Sequence, residues 1–123
     1  MSGVIYHLVP IDYWEAQPAD RPYVPADFDQ EGFIHCTRGE EQIAVVANRY
    51  YRNDPRDWLV LVLDEQAVTS EIKYEPGRDG LLYPHIYGSL NRDAIRAVRR
   101  LPRDAAGTFG PLPGSSTARL VSF

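Results

Sequence analysis

Residues 33–63 read FIHCTRGEEQIAVVANRYYRNDPRDWLVLVL, and this stretch decides the fold. Phe33 to Thr37 has the composition of a strand. Thr37 followed three positions later by Glu40 has the form of a capping box, which predicts a helix running to about Arg52. Ile43, Val46, Ala47 and Tyr50 recur at helical spacing, whereas Glu40, Glu41, Gln42, Asn48, Arg49 and Arg52 fall mainly on the other side. Asn53, Asp54 and Pro55 make a turn. Trp58 to Leu63 is then a nearly continuous apolar run of strand length, the pattern of a central strand buried on both faces.

Outward from this block, Val4 to Val9 suits a strand closed by Pro10, and Asp12 opens a short helix that stops before Pro18. Pro18 to Gly32 carries little periodicity and reads as a long loop, a class of connection that is often functional. On the other side, a short strand is expected over Glu71 to Glu75, ended by Pro76 and Gly77. Tyr83 to Tyr87 is strand-like despite Pro84, which favours an edge strand or a strand's first residues. Asn91 to Ala94 suits one helical turn, and Ile95 to Leu101 fits a helix or a strand. Residues 1–101 thus form one domain. Residues 102–123, rich in Gly and Pro, read as a loose tail or wrap unless Leu120 to Phe123 docks a last strand.

Composition narrows the classes. The chain has 123 residues, 13 basic and 17 acidic, a net charge of −4, and 44% hydrophobic residues. That suffices for one core that buries roughly 65–70% of the surface the unfolded chain would expose. A single Cys excludes an internal disulfide and any multi-cysteine metal site. No segment approaches the roughly 20 apolar residues of a membrane span, and no signal-peptide pattern opens the chain, so a soluble cytoplasmic protein is expected. Mild acidity argues against general nucleic-acid binding. The basic cluster of Arg92, Arg96, Arg99, Arg100 and Arg103 reads as a solvated face or as partners of surface carboxylates. Walker, GxGxxG, GxSxG and HExxH motifs are all missing.

The three histidines each fall in a predicted strand: Tyr6-His7-Leu8, Phe33-Ile34-His35-Cys36-Thr37 and Tyr83-Pro84-His85-Ile86-Tyr87. Alternation puts Phe33, His35 and Thr37 on one face and Tyr83, His85 and Tyr87 on another. If those strands are neighbours, they make a cleft with stacking surfaces, donors and titratable rings. The competing reading is that each histidine is a half-buried strand residue satisfied by a backbone carbonyl or a tyrosine. Thr37 is expected to cap the helix, aiming its N-terminal amides at the same cleft, and Arg38 to add a fixed positive charge. No two histidines have chelating local spacing, so no metal is expected. Cys36 faces away from His35 and reads as a small core residue.

These motifs resemble the bacterial domain of unknown function 952 family. The resemblance lies in Tyr6-His7-Leu8-Val9, Glu31-Gly32-Phe33-Ile34-His35-Cys36-Thr37, Trp58 to Asp64, Tyr74-Glu75-Pro76 and Tyr83-Pro84-His85-Ile86-Tyr87-Gly88, and spans about residues 4–101. It implies an α+β fold with a split antiparallel β-sheet and a few helices, within the ADP-ribosyltransferase-like group. It further implies a cleft for NAD or a related ribose- and phosphate-bearing ligand, and transferase or NAD glycohydrolase chemistry. His7, Thr37, Arg38, Tyr83 and Tyr87 would then bind the ligand, and His35, His85 and Glu75 would carry the chemistry. The late glutamate usual in that group is missing from Ile95 to Leu101, with Glu75 the nearest replacement. A non-catalytic binding module is the alternative, and a histidine-ligated metal hydrolase a more remote one.

Overall fold

The computed structural model describes residues 3–112. Strand β1 (Val4–Pro10) is followed by α1 (Ile11–Ala16), α2 (Phe28–Glu31), β2 (Ile34–His35), β3 (Thr37–Arg38), α3 (Glu40–Tyr51), β4 (Trp58–Asp64), β5 (Glu71–Pro76), β6 (Leu82–Tyr87) and β7 (Ile95–Arg100), with short 3-10 turns before β5 and β7. The strands form two antiparallel sheets, in the orders β3-β1-β4-β7 and β2-β6-β5.

β4 lies between β1 and β7, as its apolar run predicts, and feeds two cores. Leu61 and Leu63 pack with Ile5, Val9, Ile34 and Ile86 between the sheets, while Trp58 and Val60 pack with Ile43 and Ala47 of α3. Each buried Leu, Ile or Val side chain among them contributes about 1.5–3 kcal/mol by leaving water. The ambiguous segment 95–101 forms a strand over Ile95–Arg100 because its partner, β4, supplies a ladder from Leu59↔Arg100 to Leu63↔Ile95, with one register shift between Val62 and Leu63.

The stretch expected as one strand, Phe33 to Thr37, is divided between the two sheets, and Pro84 explains where. Cys36 N–H donates to the Pro84 carbonyl at 3.0 Å. Antiparallel pairs of this kind normally exchange two bonds, and a proline has no N–H to return. The β2 ladder therefore ends at His35, and the chain crosses to pair Thr37 with Tyr6 of β1. Pro84 accordingly sits in the middle strand of its sheet and not at an edge, as the sequence suggests, because its missing donor faces the one position where the partner leaves.

Thr37 also does not cap α3. The N-cap is Gly39, at φ 94°, with no side-chain bond to the helix amides. Pairing with β1 takes Thr37 into the sheet, and only a glycine turns readily through that backbone region. In the long loop before β2, α2 is a single turn ended by Gly32 at φ 81°. Tyr23 pins this loop through reciprocal backbone bonds with Leu90, both 2.8 Å.

Residues 102–112 are not a loose tail. Phe109 and Leu112 are buried in the α3 core. Arg103 donates to the carbonyls of Tyr51, Arg52, Arg56 and Gly107 at 2.7–3.2 Å, satisfying the open C-terminal end of α3. Asn48 holds the same segment through Phe109 N–H and C=O, at 2.8 and 3.0 Å. The expected last strand at Leu120 to Phe123 lies outside the described residues. Of the basic cluster, Arg96 pairs with Asp64 and Arg100 with Asp57, each at 2.9 Å, the surface-carboxylate reading.

Candidate functional site

The two sheets part at Cys36, and a cavity of about 780 Å³ occupies the gap. Its walls come from the end of β1, the loop before α2, the second half of α3, Trp58 and the β5–β6 hairpin. His7, His35, Thr37, Tyr83 and His85, from four strands in both sheets, all line it.

His7 is the pin between the sheets. Its Nδ1 lies 2.7 Å from the His35 carbonyl and its Nε2 2.8 Å from the Tyr23 hydroxyl. A carbonyl only accepts, so Nδ1 carries the proton, and the neutral ring accepts from Tyr23 at Nε2. Burial pushes the His7 pKa down to about 4, against the pull of its bond to His35. Burial also raises the Tyr23 hydroxyl, keeping it a donor. His7 is thus the histidine satisfied by a carbonyl and a tyrosine. Both ring nitrogens are occupied, so it shapes the cavity and does not offer a ligand a free nitrogen.

His35 and His85 are directly opposite each other on paired strands, as the shared-face reading requires. Their ring centroids are 5.3 Å apart. His35 Nε2 meets Glu31 Oε1 at 2.6 Å, and His85 Nδ1 meets Glu75 Oε1 at 2.7 Å. Tyr87 donates to the same Glu75 oxygen at 2.6 Å. That bond, then the one from His85, holds the Glu75 carboxyl below its ordinary range. Phe33 stacks on His85 at 4.1 Å and touches Tyr87 at 5.2 Å. Neither Phe33, Glu75 nor Tyr87 lines the cavity; they buttress His85 from behind.

The sequence misplaces Arg38 and the helix terminus. Alternation turns Thr37 inward and Arg38 outward, where its guanidinium donates to the Tyr74 hydroxyl at 3.2 Å. The part of α3 on the cavity is Val46, Arg49, Tyr50 and Tyr51, near its C-terminal end, and not the N-terminal amides. The positive charge comes instead from Arg49, Arg56 and Arg78. Arg49 donates to Asp79 at 3.2 Å, and the Tyr83 hydroxyl donates to the same oxygen, fastening the β5–β6 hairpin to α3. The bond from Tyr83 is the first cause of a lowered Asp79 pKa. Arg56 lies over the Trp58 ring at 5.2 Å, and Tyr51 stacks on the same indole at 4.0 Å. The buried Trp58 Nε1 has no hydrogen-bond partner among the described residues. Nothing in the sequence marks these residues apart from the length of the loop that delivers Tyr23. Cys36 is 4% exposed, and burial pushes its thiol up, as a core cysteine. Among the described residues, no group of three or more His, Cys, Asp or Glu is arranged to hold a metal, and no helix is long and apolar enough to cross a membrane.

The architecture defines a small α+β protein with two antiparallel sheets parting around a histidine- and tyrosine-lined cavity. The chain belongs to the family described as Protein of unknown function (DUF952), whose model matches residues 8–98. It is similar to the crystal structure of protein CC0527 from Caulobacter crescentus, with a TM-score of 0.74 and 25% identity over 87% of this chain and 93% of that one. A double-mutant crystal form of that protein gives the same values. The solution NMR structure of the same protein has a TM-score of 0.67 and 26% identity, over 85% and 89% of the two chains. No curated protein matches the chain.

Proposed function

We propose that the cavity binds NAD or a related ribose- and phosphate-bearing ligand, in an architecture of the ADP-ribosyltransferase-like group. The observation that carries this is the convergence of His7, His35, Thr37, Tyr83 and His85 on one cavity of about 780 Å³. That volume lies in the range of about 300–1,000 Å³ typical of small-molecule sites. Arg78, and Arg49 and Arg56 in their pairs with Asp79 and Asp54, place guanidinium groups on the cavity wall, a chemistry suited to phosphate oxygens. Tyr83 offers an aromatic wall, and the imidazoles of His35 and His85 offer ring nitrogens to ribose hydroxyls.

Two readings of the chemistry follow from Glu75. In a transferase or glycohydrolase, breaking the nicotinamide bond builds positive charge on the ribose, which a carboxylate stabilises. Glu75 stands behind His85 and off the cavity, so it acts there only through His85. The same placement, with no glutamate in β7, supports a non-catalytic binding module.

Calorimetric titration with NAD, ADP-ribose and a 2′-phosphorylated nucleotide tests the binding claim. Saturable heat with at least one, matched by a rise in Tm, is expected. Silence with all three in both assays refutes it. Comparing ligand consumption with affinity in His35→Ala and His85→Ala separates enzyme from binder, since a binder has no turnover to lose.

A further inference from the structure

The carboxylates nearest the cavity's two free-edged histidines are bonded to those histidines. Glu31 holds Nε2 of His35 and Glu75 holds Nδ1 of His85, so each ring keeps its second nitrogen for something else. The two rings, 5.3 Å apart, both line the cavity, whereas Glu75 does not. A carboxylate on one imidazole nitrogen fixes the tautomer and the ring orientation and stabilises the imidazolium when the other nitrogen takes a proton. One such unit is a general base or acid. Two of them side by side can take up a proton and release one in a single displacement.

Resting on the proposed binding of a ribose- and phosphate-bearing ligand, we infer that His35 and His85 form an acid–base pair for cleaving a phosphodiester, with ribose cyclic phosphates and diesters as the substrate class. In the hydrolysis of a ribose 2′,3′-cyclic phosphate, His35, the more exposed ring, takes a proton from water as its oxygen bonds to phosphorus. The bond from phosphorus to one ribose oxygen breaks, and His85 as imidazolium gives that oxygen its proton. A monoester and a free hydroxyl result, and proton exchange with solvent resets the pair. Guanidinium charge for the phosphoryl oxygens lies on the same cavity. Arg78 makes no ion pair or hydrogen bond among the described residues, and Arg49, which also reaches Tyr83 and Tyr50, is paired with Asp79.

Several groups bear on the titration of the pair. Glu31 faces His35 from α2, and the His35 carbonyl receives the His7 proton. Glu75 faces His85 from β5, Lys73 sits directly opposite it in register, and Tyr83 and Tyr87 flank it on β6.

Incubation of the full chain with adenosine 2′,3′-cyclic phosphate and with bis(4-nitrophenyl) phosphate across pH 5–9 tests the inference, with ADP-ribose binding measured in parallel. The expected result is turnover with a bell-shaped dependence on pH, and a loss of about 100-fold or more in kcat/KM for His35→Ala and for His85→Gln. His35 is solvent-exposed, so its variant keeps the fold, and circular dichroism checks both. Glu75 is a positioning residue. Glu75→Gln is expected to displace one limb of the pH profile of kcat/KM, and a profile identical to that of wild type overturns the positioning role. ADP-ribose binding without turnover of either probe overturns the acid–base pair while leaving the binding proposal standing. Turnover that survives in folded His35→Ala also overturns it. Silence in binding and turnover alike removes both proposals together.

Discussion

Lowering the pH from 7.5 to 5.0 is expected to cost about 2 kcal/mol of stability through His7 alone. The unfolded ring titrates near 6.5 and the folded ring near 4, because burial between the sheets penalises the imidazolium. The unfolded state therefore binds the proton first. The contribution is complete above about pH 6.5, falls away between 6.5 and 4, and changes no further once the folded ring also protonates. With 1.36 kcal/mol per pKa unit, the loss is about 2 kcal/mol at pH 5 and about 3 kcal/mol at pH 4. Protonation would also place a second N–H against the Tyr23 hydroxyl, which now donates to that nitrogen. Urea denaturation of wild type and His7→Asn at both pH values isolates the group, since the asparagine does not titrate and the carboxylates titrate alike in both chains. Wild type is expected to lose about 2 kcal/mol more than the variant over this interval, with unchanged m-values. Equal losses in the two proteins would refute the buried, neutral His7.

Three further outcomes follow from the packing. Tyr23→Phe leaves His7 Nε2 buried without a donor and is expected to cost about 1–3 kcal/mol by the same denaturation assay. Cys36, 4% exposed and with its thiol pushed up by burial, is expected to resist an aromatic disulfide reagent at pH 8 until urea unfolds the chain; rapid native reaction would contradict its core placement. Phe109→Ala is expected to destabilise by about 3–5 kcal/mol, because Phe109 is 3% exposed and packs with Trp58 and Ile43; a negligible cost would mean that residues 102–112 sit loosely on the domain.

What could be read from the sequence was whatever depended on local periodicity. Ile43 and Ala47, both buried, define the inner face of α3, and the unbroken run from Trp58 defines β4, because each pattern reports burial on the element's own faces; Tyr50, grouped with them by spacing, is exposed. What could not be read depended on pairing at long separation. The capping box at Thr37 is a genuine local signal, overridden because β1 offers Thr37 a sheet partner 31 positions away, at Tyr6. Pro84 argues for an edge strand only until one sees that its absent donor coincides with the departure of Cys36. The Gly/Pro content of residues 102–112 suggested looseness, yet Arg103 finds four carbonyls there and at the end of α3.

The candidate site divides along the same line. Facing of His35 and His85 follows from strand alternation, and their pairing in register realises it. Arg38, expected in the first turn of the helix, is instead in β3, where the pleat turns it to the side opposite Thr37, toward Tyr74. Arg49 belongs by spacing to the polar side of α3, and nothing local reveals that the β5–β6 hairpin folds over that side to make it a cavity wall.

The central claim, that the gap between the sheets takes a ribose- and phosphate-bearing ligand, is tested most directly by amide NMR during titration with NAD and ADP-ribose. Saturable shifts concentrated at His35, Tyr83, His85 and Arg49 are predicted, with the outward-facing Arg38 and strand β7 unmoved. Spectra that stay unchanged to millimolar ligand, or shifts confined to residues off the cavity, would contradict it.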